Sequence, residues 1–303
     1  MLRTYRGGTV TWIDLESPTR EEVRSIVETF GISTMVAEEL LLPSTKPRAE
    51  FYNNYLYLIV HFPALRHSHR TLEQEIDFVV GKHFIITTHY DMLDPLHKFT
   101  KLFEVNSVLN ADNLGEHAGY VLFYILKHLY KSVEHENDYV KRHLATIEES
   151  IFSGQEVRMV EVISQSARDL LNLRQTIEPH REVLHTLESE GAKLFGEEFV
   201  PYLRGISNEY YRVHNRVMRN TESLHELRET NNSLLTTKQN ETMRVLTLMA
   251  FVTFPLSLVV SIFNLNAKYN PVRNIPYDFW FIIGAIIFCG VLMFWYFKRK
   301  KWL

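Results

Sequence analysis

A single cysteine, Cys289, is all that this 303-residue chain carries, and it lies inside an apolar run. No disulfide can form within the chain, which fits a body kept in a reducing compartment, and the thiol reads as a small buried hydrophobe. Glycine is missing between Gly205 and Gly284, and Pro255 is the only proline between Pro201 and Pro271. Catalytic signatures are missing too. There is no nucleophile elbow, no P-loop and no His-Glu-x-x-His, so the chain does not read as an enzyme. Its opening, "MLRTYRGGTV", lacks the apolar core of a signal peptide. Acidic residues outnumber basic ones outside the C-terminal fifth. The net charge is −3, and residues 239–303 hold seven basic and two acidic side chains, which leaves −8 for residues 1–238. Phosphate contacts need the opposite sign, so nucleic acid is excluded as a partner.

The length allows one large or two ordinary domains. The charge split separates an acidic soluble body from an apolar segment with a basic end. Val245–Phe263, "VLTLMAFVTFPLSLVVSIF", and Phe279–Phe297, "FWFIIGAIIFCGVLMFWYF", each run for 19 residues without a charge. As helices each measures about 28 Å, close to the hydrocarbon thickness of a bilayer. Aromatics edge the second run and Lys298–Lys301 follow it directly. Both therefore read as membrane spans, with lipid as a partner. Basic residues on the outer flanks (Lys238, Arg244, Lys298, Arg299) place both termini in the cytoplasm and the loop 264–278 outside. Pro255 inside the first span is compatible with a mildly kinked membrane helix.

The glycine-free stretch predicts one long helix from Leu203 to Phe263. Its apolar residues, Leu203, Ile206, Tyr210, Val213, Val217, Leu224, Leu227 and Leu234, form a heptad-like stripe, so it packs on other helices at a shallow angle. Asn220, Asn231 and Lys238 occupy stripe positions and weaken that seam towards the membrane. Further on, Asn240, Met243, Leu246, Ala250, Phe254, Ser257 and Ser261 share one helix face. That face starts with an amide and ends with two hydroxyls, followed by the amide-rich "NLN". One copy cannot enclose a path through lipid, but several around an axis can, which points to a cyclic homo-oligomer.

Within the body, "TVTWIDLE" and "FYNNYLYLIVHF" have strand composition. "EIDFVVG" and "HFIITTH" read as a hairpin turning near Gly81–Lys82. "SPTREEVRSIVETFG" reads as a helix with Ser17 as N-cap, Pro18 at the first helical position and Gly31 past the end. From Asp94 to Glu190 the pattern is helical, punctuated by Gly115, Gly119, Gly154 and Pro179. The segment "HFPALRHSH", with His61, His67 and His69, is a weak metal signal and reads as a polar loop. "EHENDYVKRHLATIEES" reads as a charged helix with a mostly solvated face.

The order of these elements resembles the CorA family of divalent cation channels and transporters. The likeness runs through "STKPRAEFYNNYLYLIVHF", "EQEIDFVVGKHFIITTH", "LLNLRQTIEPHREVL", "VPYLRG", the first span and the closing "YFKRKKWL". It implies an α+β membrane protein with an N-terminal cytoplasmic α/β domain, a helical layer and a long stalk helix. It further implies two C-terminal transmembrane helices, assembled as a funnel-shaped homopentamer in the inner membrane with the first span lining the pore. The boundaries are 1–115 for the α/β domain, 116–200 for the helical region and 201–244 for the stalk. Residues 245–263 and 279–297 are the spans, 264–278 the outer loop and 298–303 the basic tail.

Members of that family usually carry Gly-Met-Asn after the first span. Here Asn264, Leu265 and Asn266 stand there. Leu conserves the apolar volume of Met, and Asn tolerates a positive φ better than other non-glycine residues. The resemblance makes these three the selectivity filter, with Ser261 and Ser257 lining the upper pore, Leu246 and Met243 an apolar constriction and Asn240 the inner mouth. Mg²⁺ dehydrates reluctantly, so amides that hydrogen-bond its water shell without stripping it suit a first filter. No resident cofactor is implied; Mg²⁺, or Co²⁺, Ni²⁺ or Zn²⁺, is the transported and in part the regulatory ion.

Two features depart from the pattern. Lys268 and Arg273 make the outer loop basic where many relatives are acidic, and basic rings repel cations. Gly205 follows Tyr202-Leu203-Arg204 where some relatives place an Asp that helps a regulatory Mg²⁺ site. These departures keep two alternatives open: a pore that is not selective for Mg²⁺ or that tolerates anions, and a non-conducting membrane-anchored sensor or scaffold.

Overall fold

"YLYLIVHFP", the sequence of a strand at Tyr55–Pro63 (β4), is apolar on both of its faces, and every one of its residues is buried. A strand of that kind needs cover on both sides, and the surrounding elements supply it. The computed structural model describes residues 1–44, 46–63, 73–90, 94–109, 116–263 and 277–300. β4 belongs to a six-stranded sheet with β1 (Leu2–Gly7), β2 (Val10–Glu16), β3 (Arg48–Phe51), β5 (Glu73–Gly81) and β6 (Phe84–His89), in the order β1-β2-β6-β5-β4-β3. The β2–β6 pair is parallel and the other pairs are antiparallel.

One face of the sheet packs on two short helices, α1 (Arg20–Phe30) and α2 (Thr34–Glu39). Ile13, Leu15, Tyr57, Ile59, Val79 and Ile86 meet Val23, Ile26, Val36 and Leu40 there. The other face meets α3 (Asp94–Leu109), α4 (Ala118–Phe152), α5 (Glu156–Ile177) and α6 (His180–Phe195). Trp12 on that face lies 5.6 Å from Phe99 and 5.3 Å from Phe103 of α3, centroid to centroid. Phe62 stands 5.3 Å from Tyr130 of α4. Alternation along each strand therefore divides the apolar residues between two covered faces.

Three local expectations are corrected. The N-cap of α1 is Thr19, not Ser17. The Thr19 hydroxyl accepts the Glu22 N–H at 3.3 Å while the Glu22 carboxylate accepts the Thr19 N–H at 2.9 Å, a reciprocal box that Ser17 has no partner to form. Ser17 instead sits at φ 44°, giving its N–H to the His89 carbonyl at 2.8 Å and its hydroxyl to the Tyr90 carbonyl at 3.0 Å. Gly31 is the left-handed C-terminal residue, as its position predicts. "FYNNYLYLIVHF" is not one strand. It turns at Asn53–Asn54, and Phe51 ends β3 while Tyr55 starts β4. Gly119 does not interrupt the helices but lies in the first turn of α4, whose N-cap is His117.

The long helix is α7 (Val200–Phe263), 64 residues that continue through Pro255. Leu203, Ile206, Tyr210, Val213, Val217 and Leu224 are buried, as the stripe predicts, and cover thins beyond them to half-buried Leu227 and Leu234 and exposed Lys238. Asn220 gives its side-chain N–H to the Asn137 carbonyl of α4 at 3.1 Å. Arg216 is bound by Glu134 at 2.9 Å and Asp138 at 2.8 Å, so those acids of the charged α4 segment are used and not merely solvated. α8 (Asp278–Arg299) is the last element. The chain divides into two compact units, Met1–Glu229 and Thr230–Leu303.

His180 fixes α6 to both neighbours. Its Nδ1 pairs with the Tyr130 hydroxyl at 2.9 Å and its Nε2 with the His61 carbonyl at 2.7 Å. Complete burial holds its pKa down at about 4. The unfolded chain therefore takes up a proton near pH 6.5 that the folded chain refuses, so stability falls as pH drops from about 6.5 towards 4. His180→Gln is expected to melt lower at pH 7, because the Tyr130 and His61 partners are disturbed. It is also expected to lose part of this acid-side slope, read from melting temperatures of the full chain between pH 4 and 7.

Candidate functional site

The second unit consists of the membrane-facing half of α7 and α8, with the residues joining them. Both helices are long and apolar enough to cross a bilayer. Large apolar side chains stand bare on them, Met249, Phe251, Leu258, Ile262, Phe288, Val291 and Phe294 among them. In water such a surface would be an aggregation liability, and in hydrocarbon it is the required one. The ends of α8 carry the amphipathic residues of a lipid interface. Tyr277 and Trp280 are exposed at its start, and the Arg299 guanidinium lies 5.4 Å from the Trp295 ring at its end.

Burial within this unit is periodic. On α7 the partly covered positions are Leu248, Ala250, Val252, Leu256 and Val259. Four of them, all but Ala250, recur at steps of four and three and make one face. On α8 the partly covered positions include Ile282, Ile286, Cys289 and Met293, with Phe297 buried, again one face. Each span thus turns one stripe towards protein and leaves the rest uncovered.

The seven residues singled out on α7 lie on its other side. Asn240, Met243, Leu246, Phe254, Ser257 and Ser261 are all exposed, Phe254 at 74%, and Ala250 is partly covered. At 100° per residue their mean direction lies about 180° from that of Leu248, Val252, Leu256 and Val259. Threonines beside the stripe turn inwards to their own helix: Thr247 donates to the Met243 carbonyl at 2.7 Å and Thr242 to the Lys238 carbonyl at 3.0 Å. Asn264, Leu265, Asn266, Lys268 and Arg273 lie outside the described residues, and α7 ends at Phe263, one residue before the first of them.

Elsewhere the sequence reading holds unevenly. His61 is not in a polar loop. It is a buried residue of β4 whose Nε2 lies 3.0 Å from the Ser44 carbonyl and 3.2 Å from a Glu75 oxygen; His67 and His69 are outside the described residues. No group of three or more His, Cys, Asp or Glu side chains is arranged to hold a metal among the described residues. At Gly205 a Cβ would stand 3.0 Å from Cε2 of Phe123, whose ring also faces the Lys127 ammonium at 5.5 Å. Beside it the Glu188 carboxylate is taken up by Arg204 at 3.2 Å and by the Ser207 hydroxyl at 3.3 Å.

An α/β head, one helix running out of it and two bare apolar spans define an integral membrane protein with a large soluble domain. The chain belongs to the CorA-like Mg²⁺ transporter protein family, which it matches over residues 7–299. It is 26% identical over 300 residues to the cobalt/magnesium transport protein CorA of Thermotoga maritima, covering 97% of this chain and 84% of that one. It is 20% identical to the protein of the same description from Methanocaldococcus jannaschii, covering 96% and 91%. Among solved structures, the complete CorA magnesium transporter of Methanocaldococcus jannaschii superposes with a TM-score of 0.85 at 18% identity, over 99% of this chain and 94% of that one. Full-length CmaX gives 0.75 at 18% identity, over 97% and 89%.

The opposed stripes generate a direct test. With Cys289 replaced by Ser, single cysteines at 243, 246, 254, 257 and 261 are expected to react with a charged, water-borne thiol reagent in membranes. Cysteines at 248, 252, 256 and 259 are expected to stay unmodified. Mass spectrometry of the labelled protein reads the pattern.

Proposed function

We propose that this chain transports divalent metal cations, Mg²⁺ first and Co²⁺, Ni²⁺ or Zn²⁺ as further candidates, through the central pore of a homopentamer. The observation that carries the reading is the α7 stripe of Asn240, Met243, Leu246, Ala250, Phe254, Ser257 and Ser261, set opposite the stripe that α7 covers. A face that is amide at one end, apolar in the middle and hydroxylic at the other suits an axis shared by several copies. Water fills its polar ends, and Met243 and Leu246 form a constriction that gates by dewetting. Asn266 and Asn264, beyond the last turn of α7, receive the hydrated ion and hold its waters without removing them.

The basic flanks of the spans support cytoplasmic termini, and an inner-membrane location goes with that reading. The family membership and the transport described for the named relatives support this reading against an enzymatic one. Gly205 brings no carboxylate where some relatives have an Asp, which supports closure by cytoplasmic Mg²⁺ being absent or moved elsewhere.

Lys268 and Arg273 favour a second reading, a pore that passes ions without selecting Mg²⁺. Uptake into liposomes separates the two. Under the first reading Asn266→Ala lowers Mg²⁺ flux about tenfold, the equivalent of one hydrogen bond of about 1.4 kcal/mol lost from the ion's water shell. Under the second, flux persists and ignores that substitution. No flux from an intact pentamer marks a sensor or scaffold.

A further inference from the structure

A carboxyl group that no donor reaches is an expensive thing to bury, and Asp77 is one. It lies in the middle of β5, 0% exposed. Among the described residues no N–H or O–H reaches Oδ1 or Oδ2. The register sets it opposite Ile59 of β4 and Thr88 of β6, on the sheet face that carries α1 and α2. The hydroxyls of Thr88 and Tyr57, on the same face, are also buried without a partner.

Glu75 stands two residues before Asp77 on that face, and its situation is the reverse. Its two oxygens accept the Ser44 N–H at 2.9 and 2.7 Å, and one lies 3.2 Å from Nε2 of His61. The carboxyl group of Asp77 interacts with that of Glu75, and two acceptors can bond only through a proton.

Among the described residues no other neighbour bonds Asp77, and the charge of Arg48 offsets its burial only in part. Arg48 of β3 is held by Glu39 of α2 and by Glu50, the latter at 2.7 Å. His61 of β4 divides its Nε2 between Ser44 and Glu75. Burial first, then nearby Asp77 and Glu39, raise the Tyr57 hydroxyl far above its usual range; burial first, then Asp77, Glu75 and Glu39, do the same for Tyr90, which follows β6. Both stay neutral. Burial, followed by the charge of Glu75, lifts Asp77 well above the ordinary carboxylate range.

We propose that Asp77 keeps its proton in the folded protein and donates it to Glu75, and that this shared proton latches the segment joining α2 to β3. Glu75 holds that segment through the Ser44 amide, and the His61 ring closes the contact on the Ser44 carbonyl. Losing the proton to solvent sets a second negative charge beside Glu75, where Arg48 is already bound by Glu39 and Glu50 and His61 by Glu75 and Ser44. The contact that yields is the one to Ser44, which is only part-buried, so the segment loosens as pH rises.

The sign follows from linkage. The folded chain retains a proton that the unfolded chain gives up near pH 3.9, so stability falls as pH rises from the carboxylate range towards the native pKa of the pair. His61, whose pKa is also raised in the fold because Glu75 and the Ser44 carbonyl outweigh its burial, adds a slope of the same sign. That slope is present whatever occupies position 77.

Asp77→Asn, which places a neutral group of equal size there, separates the two contributions. Melting temperatures of the full chain from pH 5 to 9 are expected to fall less steeply in Asp77→Asn than in the natural protein, with the curves diverging upwards in pH. Hydrogen exchange in the peptide containing Ser44, corrected for intrinsic rate, is expected to rise about tenfold between pH 6 and 8 in the natural protein, one pKa unit of linkage. It is expected to rise less in Asp77→Asn, where only the His61 contribution remains, and to be fast at every pH in Glu75→Gln. An Asp77→Asn variant that is less stable at all pH values with the natural slope intact would overturn the proposal. Should that variant fail to fold, the infrared band of a protonated carboxyl decides on the natural protein at pH 7, and its absence rejects the shared proton.

Discussion

Inside a bilayer no water is available to a peptide group, so a chain that enters hydrocarbon must satisfy its own backbone. That constraint governs α7. A helix of 64 residues meets it from a soluble head to the far end of a span, and the sequence permits this by excluding glycine after Gly205 and admitting only Pro255. The same helix changes solvent along its length. Near Leu203 to Leu224 its apolar stripe is buried in the soluble unit, while from Met243 onwards most of its large apolar side chains are bare. One backbone rule therefore serves two packing regimes.

The head is governed by another constraint, the cost of polar groups in a core covered on both faces of a sheet. The buried groups there are answered across elements distant in sequence. His180 of α6 reaches Tyr130 of α4 and the His61 carbonyl of β4, and Asn220 of α7 reaches Asn137 of α4. Each such bond contributes about 1 kcal/mol when made, and an orphaned partner costs more, so these pairs fix register as well as adding stability. With the Tyr57 and Thr88 hydroxyls, which also lack partners among the described residues, Asp77 breaks the pattern. Its neighbours are acids, hydroxyls and an arginine already engaged, which is why its charge state carries structural consequence.

Much of the fold was legible before any coordinates. The hairpin turning near Gly81–Lys82, the long helix with its fading stripe and the two spans follow from period and length alone. What escaped was what composition disguises. β1, "LRTYRG", is a polar edge strand with little apolar signal and is defined by pairing with β2. The turn at Asn53–Asn54 hides inside a run of aromatic residues, and Ser17 mimics an N-cap that Thr19 fills because Glu22 stands three residues on. His61 stands close in sequence to the polar "RHSH", which disguises its place in a strand. Its alternation with Tyr55, Tyr57 and Ile59 was the signal that placed it on a core-facing side, and so was the alternation of Glu75 and Asp77 with Val79.

By itself the sequence determined the secondary structure of its strongly periodic segments, the two spans and the seven residues sharing one side of α7. Spacing along a helix or strand is a local property, set by 3.6 or 2 residues per repeat. Tertiary structure alone decided which side of each element is covered. It turned α7 so that Leu248, Val252, Leu256 and Val259 are sheltered and the opposite stripe is not, and it buried Asp77 beside Glu75 with no cation to spare. Those outcomes depend on which surfaces meet across long separations in the chain, and burial, unlike periodicity, exists only once they have met.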